Sequence, residues 1–211
     1  MQTLDEIADR IHQSFDARTH RRDEILAQAR TLTRHCANAI RAIHRDERDL
    51  ADQHLAEARL IVDSLRQAAG DYADLYFAGY TQDALKEYAE ASLVAAFVRN
   101  ETLPLPEDLT VEYATYLQGL AEAAGELRRR SLDMLLKENP EEASRLLAIM
   151  DDIYAVLVTM DYPDAITGGL RRLTDLARSI IERTRGDLTL SLRQEHLEKA
   201  LKELEERLSP S

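Results

Sequence analysis

From one end of this chain to the other, apolar residues recur three and four positions apart, and nowhere do they alternate at period two over a useful length. Such spacing draws a continuous stripe on an α-helix and scatters on a strand, so the chain is restricted to all-α packing. The punctuation agrees: seven glycines and five prolines in 211 residues leave room for few tight turns. The pattern predicts helices over about 3–15, 19–45 and 47–69, the last stopping at Gly70. A short piece over 71–78 and a helix over 82–100 follow, and the proline-bearing loop TLPLPED then interrupts the pattern. Further helices are expected over 108–136, over 140–160 behind Pro140, over 163–184, and beyond Gly186 over 190–208. With no internal repeat, low-complexity segment or long linker, the expectation is one all-α domain spanning residues 1–211.

The single Cys36 excludes an internal disulfide framework and a cysteine-built zinc site within one chain, as suits a reducing compartment. The first residues, MQTLDEIADR, lack the apolar core of a signal peptide, and no run approaches the about 18 apolar residues of a membrane span. A cytoplasmic protein without a membrane partner is expected. A formal net charge of −12 argues against nucleic-acid binding by the surface as a whole. The charge is uneven, however: Arg18, Arg21, Arg22, Arg30, Arg34, Arg41, Arg45 and Arg48 crowd one early stretch, with His20, His35 and His44 among them. Phosphate-binding loops, dinucleotide fingerprints, nucleophile elbows and H-E-x-x-H are all missing, and no two histidines stand i, i+4 on one helix.

The carboxylates are more informative. In EYAEASLVAAF, Glu87 and Glu90 share a helix face that continues through Ala91, Val94 and Val98. In GLAEAAGEL, Glu122 and Glu126 stand i, i+4 among alanines, with Gly119 and Gly125 small enough to admit a neighbouring helix. Acids in apolar surroundings must be paired, protonated or metal-bound. Two such helices can gather four carboxylates, an oxygen set that suits Mg²⁺ or Mn²⁺ and, through them, phosphodiester chemistry. Ordinary pairing is the competing reading, since Lys86 adjoins Glu87 and Arg130 stands i, i+4 from Glu126. The stripe Leu197, Leu201, Leu204 and Leu208 is likewise open, either to packing on its own domain or to contact with a second copy.

Taken together, the segments LKEYAEAS…FVRNETLP at 85–104, YLQGLAEAAGELRR at 116–129 and RRDEI…IRAIHR at 21–45 resemble the translin/Trax family. Their order and spacing agree over roughly residues 18–185, and the two acid-bearing helices look closer to Trax than to translin. The resemblance implies an all-α subunit of about seven helices that assembles into a closed, hollow, roughly octameric homo-oligomer. It implies RNA and single-stranded DNA as partners, and a Mg²⁺- or Mn²⁺-dependent endoribonuclease whose metal ligands and catalytic acids are Glu87, Glu90, Glu122 and Glu126. Glu122 departs from the family, standing where Trax has an aspartate. Arg22 matches a family arginine that faces nucleic acid, with Arg18 and Arg21 as companions by position. The basic segment that precedes the acid helix in translin is replaced here by YFAGYTQ, which has no basic residue. A non-catalytic, translin-like binding assembly is the alternative, and a helical interaction protein with salt-bridged acids is the third.

Overall fold

The computed structural model describes residues 3–70 and 72–208. Among them the chain forms no strand and nine helices: α1 (Leu4–His44), α2 (Arg48–Ala69), α3 (Ala73–Tyr76), α4 (Gly79–Arg99), α5 (Pro106–Leu109), α6 (Tyr113–Leu136), α7 (Pro140–Leu157), α8 (Asp164–Thr167) and α9 (Leu170–Leu208). The all-α expectation holds. Two expected breaks do not exist. Residues 16–18, Asp-Ala-Arg, hold no glycine or proline, so nothing stops the helix after Phe15, and α1 runs 41 residues behind a Thr3–Glu6 capping box. Gly186 lies inside α9, which runs 39 residues.

An interior glycine costs a helix only about 1 kcal/mol relative to alanine, and contacts on both sides of Gly186 offset that. The Arg128 guanidinium donates to Thr184 Oγ1 at 3.0 Å and to Asp187 Oδ2 at 2.8 Å. Arg185 donates to both carboxylate oxygens of Asp151, at 2.6 and 2.8 Å. Smaller shifts follow local chemistry. Helix α6 begins at Tyr113 rather than near 108, because Pro106 opens the separate single turn α5, where the Leu105 N–H donates to Asp108 Oδ2 at 2.9 Å. The expected start of the short piece at Asp71 lies outside the described residues.

The fold resolves into two compact units, one of residues 1–95 and 104–119, the other of residues 96–103 and 120–211. In the first, α1 and α2 form an antiparallel pair whose turn places Asp46 in the left-handed region (φ 61°) and closes with a Glu47 N–H to Ala42 O bond of 2.9 Å. The α1 stripe Ile25, Leu32 and Cys36 and the α2 stripe Ala58, Val62 and Leu65 lie in one core with Leu85, Tyr88 and Ala89 of α4. Each Leu- or Ile-sized side chain buried there contributes about 1.5–3 kcal/mol. No residue of α1 before Ile25 is buried.

From Ala84 to Ala95 every residue of α4 is buried or half-buried, as expected of a helix apolar on nearly all faces. Thr81 Oγ1 donates to Leu75 O at 2.8 Å and Gln82 Nε2 to Tyr76 O at 2.9 Å, fixing the chain where it enters α4.

In the second unit the core is built from Leu127, Leu146, Met150, Ile153, Leu157 and Leu170, all deeply buried. Pro140 sits at the first position of α7, as expected, behind Asn139, whose side chain accepts the Glu142 N–H at 3.1 Å. Arg145 donates to the carbonyls of Phe97 and Val98 while its Nη2 lies 2.6 Å from Glu142 Oε1. That pairing closes the chain end left by α4 with a guanidinium instead of water. Among the described residues no helix is long and apolar enough to cross a membrane.

Candidate metal centre

Between Ala84 and Ala95, helix α4 has no exposed position on which a surface acid would ordinarily sit. Glu90 is 8% exposed, and Glu87 keeps its side chain 31% exposed with Lys86 Nζ 3.7 Å away. Gly119 of α6 lies hard against this turn. A Cβ built on Gly119 would stand 2.9 Å from Ala89 Cβ, from the Glu90 backbone nitrogen and from Lys86 O. Only glycine permits that approach, which is what small residues in the acid-bearing segment predicted. Gly125 does not share the role, since a Cβ there meets nothing within 4 Å.

Three residues beyond Gly119 stands Glu122. Glu87, Glu90 and Glu122 each offer a carboxylate oxygen, and the three oxygens lie within 4.8 Å of one another. Two unit charges at that separation repel by about 3 kcal/mol at an effective dielectric constant of about 20. Such a group is stable when protons, cationic side chains or a metal ion balance it. Its donors are all hard oxygens, the set that selects Mg²⁺, Mn²⁺ or Ca²⁺ over the imidazole- and thiolate-seeking metals. The residues present therefore fit a divalent cation.

Cys36, in the core of the same unit, carries the imprint of the two α4 acids. Burial pushes its thiol far above the ordinary range, and the negative charges of Glu87 and Glu90 push it further in the same direction. It is a protonated, buried thiol with no part in nucleophilic chemistry, as its place in the core stripe implied.

The remaining expected site residues are placed as follows. Glu126, one turn beyond Glu122, lies outside the three-carboxylate group, and its Oε2 is 4.0 Å from Arg129 Nη1. Arg18, Arg21 and Arg22 line the early part of α1. Arg18 pairs with Asp74 and holds its guanidinium carbon 5.9 Å from the centre of the Tyr72 ring. Arg21 meets Glu24 at 2.7 Å and Arg22 meets Asp23 at 2.9 Å. Exposed pairs of this kind are worth about 0–1 kcal/mol and are readily exchanged for a phosphate.

Two features escaped the sequence reading. His35 and His54, on different helices and 19 positions apart, bring their Nδ1 atoms to 3.3 Å with rings edge to face. No helical spacing rule pairs residues across a helical hairpin, so only the fold reveals it. The second is a cavity of about 290 Å³ bounded by Arg30 of α1 and by Tyr80 and Glu87 of α4.

No protein-family model matches the chain. It is 32% identical over 190 residues to an uncharacterised protein of Methanocaldococcus jannaschii, covering 89% of this chain and 84% of that protein. Among solved structures, AfC3PO in complex with duplex RNA superposes with a TM-score of 0.82 at 30% identity, over 89% of this chain and 97% of that one. A structure of AfC3PO alone gives a TM-score of 0.79 at 31% identity over 90% and 97% of the two chains. Apo NeC3PO, at 21% identity, shares the fold with a TM-score of 0.81 over 90% of this chain and all of that one. Likeness at 30% identity or above that runs through nearly the whole chain, with the two acid helices inside it, makes this protein a member of the translin/Trax family, to which the C3PO proteins belong.

Proposed function

We propose that this protein is a Trax-like, divalent-metal-dependent endoribonuclease that works in the cytoplasm inside a closed, roughly octameric assembly of its own copies. The observation that carries the reading is the convergence of Glu87, Glu90 and Glu122 oxygens within 4.8 Å, in a chain similar to a protein solved with duplex RNA. A Mg²⁺ or Mn²⁺ ion in such a group supplies a Lewis acid toward a phosphodiester and lowers the pKa of water. The chain's own part is to hold that ion rigidly. Glu87 and Glu90 leave a helix packed on nearly every side, and Gly119 sets the distance at which α6 presents Glu122. Glu126, one turn away, is within reach of a second role as a ligand or proton acceptor once its Arg129 contact is released.

Arg18, Arg21 and Arg22 hold the phosphates of RNA or single-stranded DNA, while the acidic remainder of the surface keeps the particle in solution. Exposed apolar stripes support self-assembly. Leu4, Ile7, Ile11 and Phe15 on α1 and Leu190, Leu197, Leu201 and Leu204 on α9 lie at helical spacing with 42–83% of their surface open. The side chain of Leu208, which the sequence pattern added to the second stripe, lies outside the described residues.

The test is cleavage of single- and double-stranded RNA by the purified assembly with Mg²⁺, with Mn²⁺ and with EDTA, beside Glu90→Gln. Cleavage that survives both EDTA and the substitution overturns the metal-dependent reading. The position of Glu126 outside the carboxylate group favours one alternative, a nucleic-acid-binding assembly without catalysis. That reading expects salt-dependent RNA retention with no metal requirement and no cut product.

A further inference from the structure

We propose that His35 of α1 and His54 of α2 form a two-imidazole clamp for Zn²⁺ and the other nitrogen-seeking cations, Ni²⁺ and Cu²⁺, across the helical hairpin. The clamp stands apart from the nuclease reading, since no residue of the carboxylate group enters it. The two Nδ1 atoms lie 3.3 Å apart, with ring centroids 5.4 Å apart and ring planes at 65°. Ordinary N–H···O hydrogen bonds span about 2.7–3.2 Å, so this contact is long for a hydrogen bond. It is the right length for two ligands of one ion. Zinc–imidazole bonds of about 2.0–2.1 Å at a tetrahedral centre set two ligand nitrogens about 3.3–3.4 Å apart.

The surroundings suit a cation. Both side chains are half-buried, so the pair is held by the fold and yet within reach of a solvated ion. Neither ring has another hydrogen-bond partner among the described residues. The ring that donates in the apo pair can move its proton to Nε2 and stay neutral, which leaves both Nδ1 lone pairs to the metal. Two charges act on His54 with opposite sign, the Arg41 guanidinium, tied to Asn38, and the Glu57 carboxylate, so a dication does not meet a one-sided positive field. Cys36, beside His35 in sequence, is fully buried and protonated, and no thiolate competes for the ion. Imidazole selects Zn²⁺, Ni²⁺ and Cu²⁺, whereas the hard oxygens of Glu87, Glu90 and Glu122 select Mg²⁺ and Mn²⁺. Two protein ligands leave two tetrahedral positions to water. The ion cross-links residues 19 positions apart and staples α1, which carries Arg18, Arg21 and Arg22, to α2.

The experiment titrates Zn²⁺ into the full-length protein by calorimetry, once with Mn²⁺ in excess and once in Glu90→Gln, so that binding at the carboxylate group is set aside. The expected result is one Zn²⁺ per chain in both cases. His35→Gln and His54→Gln each weaken it at least tenfold, and far-UV circular dichroism checks that both variants are folded. His20→Gln, which removes the exposed His20–Glu24 pair, leaves the affinity within twofold. Zn²⁺ raises the Tm of wild type and of neither clamp variant. Electron paramagnetic resonance of bound Cu²⁺ shows coupling to two nitrogens in wild type and loses it in both. Mn²⁺ affinity stays at the wild-type value throughout. If Zn²⁺ binds through the pair in a protein that cuts no RNA, the clamp stands and the nuclease reading alone fails. If wild type binds no Zn²⁺, or binds it as tightly after both histidine substitutions, the clamp is refuted.

Discussion

Replacing Gly119 with alanine adds one methyl group at the point where α6 touches the turn of α4 that carries Glu87 and Glu90. That methyl would sit 2.9 Å from Ala89 Cβ, the Glu90 nitrogen and Lys86 O. Two of those neighbours are backbone of a packed helix, so they cannot swing aside. Restoring ordinary contact at about 3.6 Å requires α6 to retreat by about 0.7 Å. Overpacking of this kind costs about 1–3 kcal/mol, and alanine's better helix propensity returns about 1 kcal/mol of it. The net loss of about 1 kcal/mol lowers Tm by about 2–4 °C in a chain of this size.

Activity should fall much further. Displacing α6 moves the turn that presents Glu122, and a misplacement approaching 1 Å is worth about 100-fold in rate. The assay is single-turnover RNA cleavage and Mn²⁺ binding in Gly119→Ala, with Gly125→Ala as the control on the same helix. Gly125 faces open space, so its alanine variant should gain up to about 1 kcal/mol of stability and keep full activity. Wild-type metal affinity and cleavage in Gly119→Ala would refute the claim that this glycine sets the carboxylate geometry.

Other outcomes can be checked alongside. Mn²⁺ should raise the Tm of wild type with the logarithm of its excess over Kd and fail to raise that of Glu90→Gln, as differential scanning calorimetry will show. Glu122→Asp withdraws the carboxylate by one methylene from a group whose oxygens now lie within 4.8 Å, so Mn²⁺ affinity measured by electron paramagnetic resonance should weaken. Burial, and after it the neighbouring His35 and Arg41, holds His54 below its ordinary pKa, with Glu57 acting against them. The folded state thus resists a proton that the unfolded chain accepts, and stability should fall as pH drops below about 6.5. Chemical denaturation across pH 5–8 tests this, and His54→Asn should flatten that slope. Cys36 should stay inert toward a thiol reagent at pH 8 in the native protein and react once it is unfolded.

Helical periodicity was enough to read the fold class and most helix ends. It failed after Phe15, where no stop signal exists, and at Gly168–Gly169, which divide the helix expected over 163–184 into α8 and α9. It failed also where a local signal was overruled by distant contacts. Gly186 reads as a stop on any propensity scale, yet Arg128 and Asp151, which hold the turns beside it, lie far away in sequence. Within the candidate site, the need of Glu87 and Glu90 for company was legible because both sit in an apolar helix. Which acids answer was not, since Glu122 and Glu126 are equivalent by spacing and differ only in the geometry of α6 beyond Gly119. The His35–His54 pair was invisible for a related reason, because it gains its meaning from a facing helix.

Because α1 is one unbroken helix from Leu4 to His44, Arg18, Arg21 and Arg22 are geared to the core stripe that begins at Ile25. Each residue turns an α-helix by about 100°, so inserting a single residue between Arg22 and Ile25 would swing all three arginines a quarter-turn or more around the axis. An insertion of four would return them to within about 40° and advance them by about 6 Å. A loop would absorb such changes without consequence, whereas this helix transmits them in full. Its length between those residues therefore behaves as a phase constant, and relatives that bind nucleic acid with the same arginines should differ there only by whole turns.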